Sequence, residues 1–434
     1  MRIGIRSEDK NAWETRVPLT PGQVKQLTRS TDLRFVVQPS AKRVFPDEQY
    51  VQAGAQVSDD LSECPVIIGV KEIPVAKLAP RKTYVFFAHV IKGQPANMPM
   101  LRKLMEQGCN LIDYERIMDD KGRRLIFFGR YAGLAGMIDT LWAFGQRLRW
   151  EGLDTPFARI EPALKYADSE EAKKALAAAG DRIREQGLPE LLHPLVCGFA
   201  GYGHVSQGAQ EIFDQLPATV IPPEAVASLR DGGPQARHHL YKVVFKEEHL
   251  VEPRDPDARF EVQDYYDHPE KYRSRFGPYL DHLTILANCI YWDARYPRLV
   301  TKERVREMYG EGASPRLRVI GDITCDLNGS IECNVRCADP GNPIYVYDPA
   351  TERTHDGVAG HGPVVLAVDN LPCELPREAS ADFGAVLTRL LPKMGRADWS
   401  QDFEHCNLPD EIRRATILYG GQLTPEYQYL TKYL

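Results

Sequence analysis

The sequence predicts an α/β protein built from two domains with parallel sheets, and three observations carry that expectation. Short apolar runs alternate with helical segments through the first 113 residues, the pattern of a parallel sheet covered on both faces. A glycine turn near residue 201 joins an apolar run to an amphipathic helix, opening a second such pattern. The chain has 434 residues, 43% of them hydrophobic, enough for two or three ordinary domains with their own cores.

From the N-terminus, Arg2–Arg6 reads as a strand. Leu19–Leu27 reads as a helix start, with Thr20 as N-cap, Pro21 at the first helical position and Gln23 at N3, a near capping box. Phe35–Val37, Val66–Val70 and Tyr84–Ala88 are strands, Met98–Gln107 is a helix, and Asn110–Asp113 is a further strand. Lys71 and Glu72 follow directly on one of these strands and His89 on another. In open α/β sheets ligands bind beyond the carboxyl ends of strands, so these residues are candidates.

Tyr131–Trp150 is a long apolar helix, about 30 Å at 1.5 Å per residue. Ala163–Gln186 is read as a solvated helix stopped by Gly187. Leu195, Val196 and Cys197 then form a buried strand, and Gly198, Gly201 and Gly203 permit a tight turn. Val205, Ala209, Ile212, Phe213 and Leu216 line one face of the helix that follows. A helix start carries unpaired N–H groups and partial positive charge, which suits a pyrophosphate. The G-x-G-x-x-G fingerprint is met at Gly201 and Gly203, with Ser206 in the third position.

Ala218–Ile221 is expected as the next strand, ending in Pro222, Pro223 and Glu224, and 225–302 as an irregular, solvated insertion rich in proline and charge. Leu317–Ile323, with Asp322 near its end, and Val364–Val368 are strands, and Ala379–Leu391 is a helix that crosses back. The expected domains are 1–135 with 373–434 for substrate and catalysis, and 136–372 for the dinucleotide, with the active site in the cleft between them.

Composition excludes some classes. Lys and Arg number 54 against 60 Asp and Glu, a net charge of −6, which gives no support to a nucleic-acid or anionic-membrane partner. No run of eighteen apolar residues occurs and no signal-length apolar stretch follows the N-terminus, so a cytoplasmic protein is expected. The nine cysteines include no C-x-x-C pair, and Cys325, Cys333 and Cys337 fit no zinc spacing, so reduced thiols and no metal are expected.

Several ordered stretches resemble a known family. NAWETRVPLTP with Arg16, GVKEIP with Lys71 and Glu72, FFAHVIKGQ with His89 and Lys92, and IDYERIMDDKGRR with Glu115 and Arg124 resemble the first domain of the alanine dehydrogenase and saccharopine dehydrogenase superfamily. FFGRYAGLAGMIDTL, GYGHVSQGAQEIF, GDITCDLNGSIE and VDNLP continue the resemblance, which covers most of 1–395. It is nearest to the lysine–ketoglutarate reductase domain family, the first half of the bifunctional aminoadipic semialdehyde synthases of animals and plants.

The resemblance implies two Rossmann-like domains and the NAD(P)H-dependent condensation of L-lysine with 2-oxoglutarate to saccharopine. It implies Lys71 and His89 as acid–base groups, and Arg16, Lys92 and Arg124 as carboxylate ligands. Glu72 and Glu115 would tune them, while Gly201, Tyr202, Gly203, His204, Val205 and Asp322 would lie with the cofactor. The chemistry agrees: a lysine ε-amine, with a reference pKa of about 10.4, must lose its proton before it attacks a carbonyl. Carbinolamine collapse then needs a proton donor, so two titrating groups are wanted. Which of Lys71 and His89 is the base stays open, since pairing with Glu72 raises a lysine pKa and burial lowers it. Arg123 reads as a solvated turn residue, and Arg130 as either a carboxylate ligand or a helix-start surface residue.

Pro222 stands where an acid for the ribose 2′-hydroxyl is expected, which favours NADPH, with NADH as the other cofactor and Arg230 and Arg237 as candidate 2′-phosphate ligands. Ending at Leu434, the chain is expected to be a free-standing reductase, its oligomeric state open to a homo-oligomer. The alternatives are reductive amination of another oxo acid by a related opine or alanine dehydrogenase-like enzyme, and a non-catalytic NAD(P)-binding sensor.

Overall fold

The computed structural model describes residues 1–229 and 234–434; Arg230 lies outside the described residues. The chain divides into two compact units, 1–128 with 376–434, and 129–375.

The first unit begins with β1 (Arg2–Ile5), α1 (Pro21–Ser30), β2 (Arg34–Val37), α2 (Asp47–Gln52), β3 (Gln56–Val57), β4 (Val66–Ile68), β5 (Thr83–Phe86), α3 (Met98–Glu106) and β6 (Asn110–Asp113). All six strands are parallel, in the order β3-β2-β1-β4-β5-β6. The chain winds outward from β1 to β3 and resumes at β4 on the other side of β1, so the direction of winding reverses between β1 and β4. Ile3, Ile5, Ile68, Val85 and Ile112 are fully buried along these strands, each contributing about 1.5–3 kcal/mol by leaving water. Thr20 and Gln23 form the expected capping box on α1.

The second unit opens with α4 (Gly129–Trp150), α5 (Ser169–Gln186), β7 (Val196–Ala200), α6 (His204–Phe213), β8 (Ala218–Val220) and β9 (Leu240–Phe245). Beyond these come α7 (Glu247–Leu250), β10 (Val251–Pro253), α8 (Val262–Asp267), β11 (Tyr272–Ser274), α9 (Gly277–Leu280), β12 (Ile285–Asn288), α10 (Lys302–Met308), β13 (Val319–Asp322), β14 (Ile344–Asp348), β15 (Arg353–Asp356) and β16 (Val364–Leu366). The large sheet runs β15-β14-β16-β13-β12-β7-β9-β8, parallel from β8 to β16 and antiparallel at β14 and β15.

The stretch 225–302 is not one solvated excursion. Its two apolar runs, LYKVVF and ILAN, become β9 and β12 and flank β7 on either side. Proline and charge crowd the segment between them, although Val251, Tyr272, Phe276 and Leu280 within it are buried in the core, and the strands gain their pairing from β7, distant in sequence. Helix α5 also differs from its reading. Asp168 caps it at Glu171, a separate 3-10 turn precedes it, and Ala172, Leu176 and Ile183 bury one face, while Gly187 ends it at φ +71.

Helix α4 lies wholly in the second unit, so the units part at 128/129 where the sequence reading set 135/136. Two glycines hold it against α6. A Cβ on Gly133 would stand 1.9 Å from the Val205 carbonyl oxygen, and one on Gly208 would stand 2.1 Å from that of Arg130. The return to the first unit is α11 (Pro376–Met394), α12 (Asp410–Ala415), β17 (Thr416–Tyr419) and β18 (Gln422–Leu423). Strand β17 pairs antiparallel with β6, and β18 closes that edge.

Candidate active site and dinucleotide turn

In the first unit the candidate residues gather at the carboxyl ends of the parallel strands. Glu8, just beyond β1, is 6% exposed. It reaches across the winding reversal to the segment after β4, where its two carboxylate oxygens accept from the Val70 and Lys71 amides at 2.7 and 3.0 Å. Burial raises its pKa, the Arg6 guanidinium opposing. Lys71 is therefore anchored through its backbone, and its half-buried side chain leaves from a fixed point.

His89 follows β5 with φ +48, in the left-handed region, and its carbonyl accepts from Asn97 Nδ2 at 3.1 Å. Its ring stacks on Phe87 at 6.1 Å, and its Nδ1 lies 2.7 Å from Glu72 Oε1. The other Glu72 oxygen is 3.5 Å from Lys10 Nζ. Burial pushes the Glu72 carboxyl up, but the hydrogen bond and charge of His89, with Lys10, outweigh it and hold the group at about 2. Glu72 is thus a permanent carboxylate at neutral pH. With Glu72 accepting from Nδ1, Nε2 is the nitrogen left to exchange protons.

Asp113, absent from the sequence-derived candidates, ends β6 beside this pair. It is fully buried; Oδ1 accepts from the Glu115 amide at 2.9 Å, and Oδ2 has no hydrogen-bond partner among the described residues. Burial and the neighbouring Glu115 charge raise its pKa to about 6, while the Glu115 amide and His89 pull the other way. Its signal in the sequence was a carboxylate at a strand's carboxyl end.

The expected carboxylate ligands are placed unequally. Arg16 is 2% exposed, and its fork closes on Glu14, Nε to Oε1 at 2.7 Å and Nη2 to Oε2 at 2.5 Å, under the Phe128 ring at 4.4 Å. Arg124 is exposed and lies 3.6 Å from Glu115, and the Lys92 side chain is in solvent. Arg123 pairs with Asp119 in its turn at 2.7 Å. Arg130, at the start of α4, makes a forked pair with Glu211 of α6. A cavity of about 570 Å³ in this unit opens on Arg6, Asp9 and Lys77 and holds none of Lys71, Glu72 or His89.

In the second unit the glycine turn stands beyond β7. Gly201 has φ +94, and its amide donates to the Phe245 carbonyl at 2.9 Å. Winding reverses here too, between β7 and β12, the position where doubly wound sheets hold ligands. Tyr202, Gly203 and His204 are exposed and Val205 partly so. No side chain caps α6, and a Cβ on Gly203 would meet nothing within 4 Å, so its helix start faces open space. These features fit a pyrophosphate. Ser206 is fully buried and its hydroxyl accepts from Gln210 at 2.9 Å, while the close backbone approach belongs to Gly208.

Asp322 sits apart from the turn's surface. It is 1% exposed, its oxygens accepting from Asn288 and Asn334 Nδ2, each at 2.7 Å, and burial raises its pKa to about 6. It ties the ends of β12 and β13 together. Pro222 also stands elsewhere than expected: it follows β8, an edge strand, whereas the neighbour of β7 is β9, which ends at Phe245 and continues into Lys246 and Glu247. Arg237 donates to the Leu188 carbonyl at 2.6 Å. Among the described residues no cluster of His, Cys, Asp and Glu is able to hold a metal, and no helix is long and apolar enough to cross a membrane.

Two largely parallel sheets, one carrying a glycine turn and the other a histidine–carboxylate pair at its strand ends, define an α/β protein of two Rossmann-like units, and comparison with known proteins shows what it is similar to. Residues 4–135 match the alanine dehydrogenase/PNT N-terminal domain. The fold is shared with an L-alanine dehydrogenase, at a TM-score of 0.61 and 18% identity, over 100% of this chain and 99% of that one. The chain is thus similar to alanine dehydrogenases over its first 135 residues and in its fold.

The chain is 38% identical over 443 residues to the mitochondrial alpha-aminoadipic semialdehyde synthase of Bos taurus, across 99% of this chain and 47% of that protein. It is 28% identical over 405 residues to the NAD(+), L-lysine-forming saccharopine dehydrogenase of Emericella nidulans, across 89% of this chain and 90% of that protein. The chain thus spans about half the length of the semialdehyde synthases it matches.

Proposed function

We propose that the protein catalyses the reductive condensation of L-lysine with 2-oxoglutarate to saccharopine, using a reduced nicotinamide dinucleotide. The observation that carries this reading is the Glu72–His89 pair at 2.7 Å beside the clamped Lys71, at the carboxyl ends of strands where ligands collect. Homology to lysine-forming saccharopine dehydrogenases supports the substrate pair.

The ε-amine of the substrate must be neutral to attack the ketone carbon. His89 Nε2 or the Lys71 amine takes that proton, and the Glu72 carboxylate fixes the imidazole's tautomer and offsets the charge it gains. The carbinolamine then loses its hydroxyl as water, with a proton delivered by the same pair. When bound, the nicotinamide supplies hydride to the imine carbon. Arg124 and Lys92, exposed on this face, are assigned to the substrate carboxylates.

The test is incubation of the purified protein with lysine, 2-oxoglutarate and reduced cofactor, following nicotinamide absorbance and identifying the product by mass. Saccharopine formed at a rate lost in the doubly substituted Lys71→Met, His89→Gln protein is expected. Turnover with ammonia or another oxo acid, and none with this pair, would overturn the substrate assignment.

A further inference from the structure

His89 stands at φ +48, a left-handed conformation that a residue with a Cβ keeps only where its surroundings over-determine it. Residues 89–93 form a turn beyond β5, and Gly93 is left-handed as well, at φ +67. The carbonyls of three successive residues in that turn are each satisfied. That of His89 accepts from Asn97 Nδ2 at 3.1 Å, and that of Val90 from the Gly93 amide at 2.9 Å. Both of those donors are local. The Ile91 carbonyl accepts instead from the Tyr429 hydroxyl at 2.7 Å, across 338 positions of sequence.

Tyr429 belongs to a 3-10 segment, Pro425–Tyr433, that is itself anchored at several points. Tyr427 and Leu430 are buried in the core of the first unit. The Tyr427 hydroxyl donates to the Arg414 carbonyl at 2.6 Å and accepts from Nε of Arg116, in the turn after β6, at 3.0 Å. Arg102 of α3 donates through Nη2 to the Tyr433 carbonyl at 3.2 Å. From that seat the Tyr433 ring lies on Gly93, so closely that a Cβ there would stand 2.5 Å from it. The segment therefore meets the His89 turn twice, by a hydrogen bond and by a ring, and neither contact involves the imidazole.

We propose that Tyr429 and Tyr433 are positioning residues, which hold the 89–93 turn so that the His89 imidazole meets Glu72 and thereby support the proton transfers of turnover. The acid–base role assigned to His89 under the proposed function is the premise, and the ring signal described next is read without turnover.

The full chain, labelled with 15N at its histidine rings, tests it, His89 being identified by the signals lost in His89→Gln. At about pH 9, where the imidazole is neutral, Nδ1 should carry the proton in the unaltered protein, because Glu72 accepts there. Tyr429→Phe removes one hydroxyl and keeps the ring. It should bring in the other tautomer at His89 and lower kcat about tenfold, with KM for the dinucleotide within about twofold and the denaturation midpoint kept. Tyr433→Leu should act in the same direction, and Tyr433→Phe, which keeps the ring, should restore the rate. An unchanged His89 signal in Tyr429→Phe, or a changed signal with kcat intact, would overturn the proposal. If the unaltered protein turns over no lysine and 2-oxoglutarate, the substrate reading falls, and the His89 signal alone decides whether the two tyrosines position the ring.

Discussion

Glu72 and His89, seventeen positions apart in sequence, meet at 2.7 Å through Oε1 and Nδ1, and Glu72 is held at about 2 by that contact and by Lys10 despite its burial. Glu72→Gln should lower turnover by about 10²-fold and reshape the pH–rate profile, because the imidazole loses its anionic support. Stability should change with the same sign logic. A carboxyl depressed in the fold stabilises above its ordinary value near 4.5, a contribution lost as pH falls toward about 2. Glu72→Gln should therefore be less stable at pH 7 and lose less on acidification across that window, as read by denaturant unfolding at several pH values.

Arg16 and Glu14 form a buried fork, so removing one partner strands a charge. Arg16→Ala should cost about 3–5 kcal/mol of unfolding free energy. Arg16→Lys should cost less, since it keeps the charge and loses the planar fork. A raised KM for the oxo acid in Arg16→Lys at unchanged stability would show instead that the guanidinium leaves Glu14 for a substrate carboxylate.

Gly208 is where α6 meets α4 backbone to backbone. Gly208→Ala should destabilise the fold by about 1–3 kcal/mol through overpacking. Because α6 begins at the glycine turn proposed to hold the dinucleotide, cofactor affinity should weaken as well, which a fluorescence titration beside an unfolding curve will separate from general loss of structure.

Asp139 on α4 and Glu374 are both buried, and the two Glu374 oxygens have no hydrogen-bond partner among the described residues. Burial raises Asp139 to about 6, and burial with the Asp139 charge raises Glu374. A carboxyl raised in the fold favours folding at low pH, and that contribution is lost as pH rises through the folded value. Stability should therefore fall as pH rises from the ordinary carboxylate range, about 4, through about 6, the raised value of Asp139, and Glu374→Gln should flatten the decline. An unchanged slope would show that the pair carries no proton in this range.

Much of this was legible in the sequence where the determinants are local. Thr20, Pro21 and Gln23 announce α1 by capping chemistry, and Gly201 and Gly203 announce a turn between an apolar strand and an amphipathic helix. Lys71 and His89 announce themselves by following apolar runs. What was not legible depends on partners distant in the chain. β9 and β12 look like fragments of a charged loop until β7 pairs with them. Glu8 reads as one more acid in a polar loop, because the amides it clamps lie more than sixty residues on. Asp322 has the position of a ligand-facing residue, and the sequence gives no sign that two asparagines distant in the chain donate to its oxygens.

Because β9 is interposed between β7 and the edge strand β8, the carbonyl that accepts from the Gly201 amide belongs to Phe245, more than forty residues downstream of the turn. Insertions or deletions in the stretch leading into β9 are therefore able to shift the glycine turn without altering any of its own residues. Homologues compared by that glycine window alone would be grouped without regard to the strand that braces it.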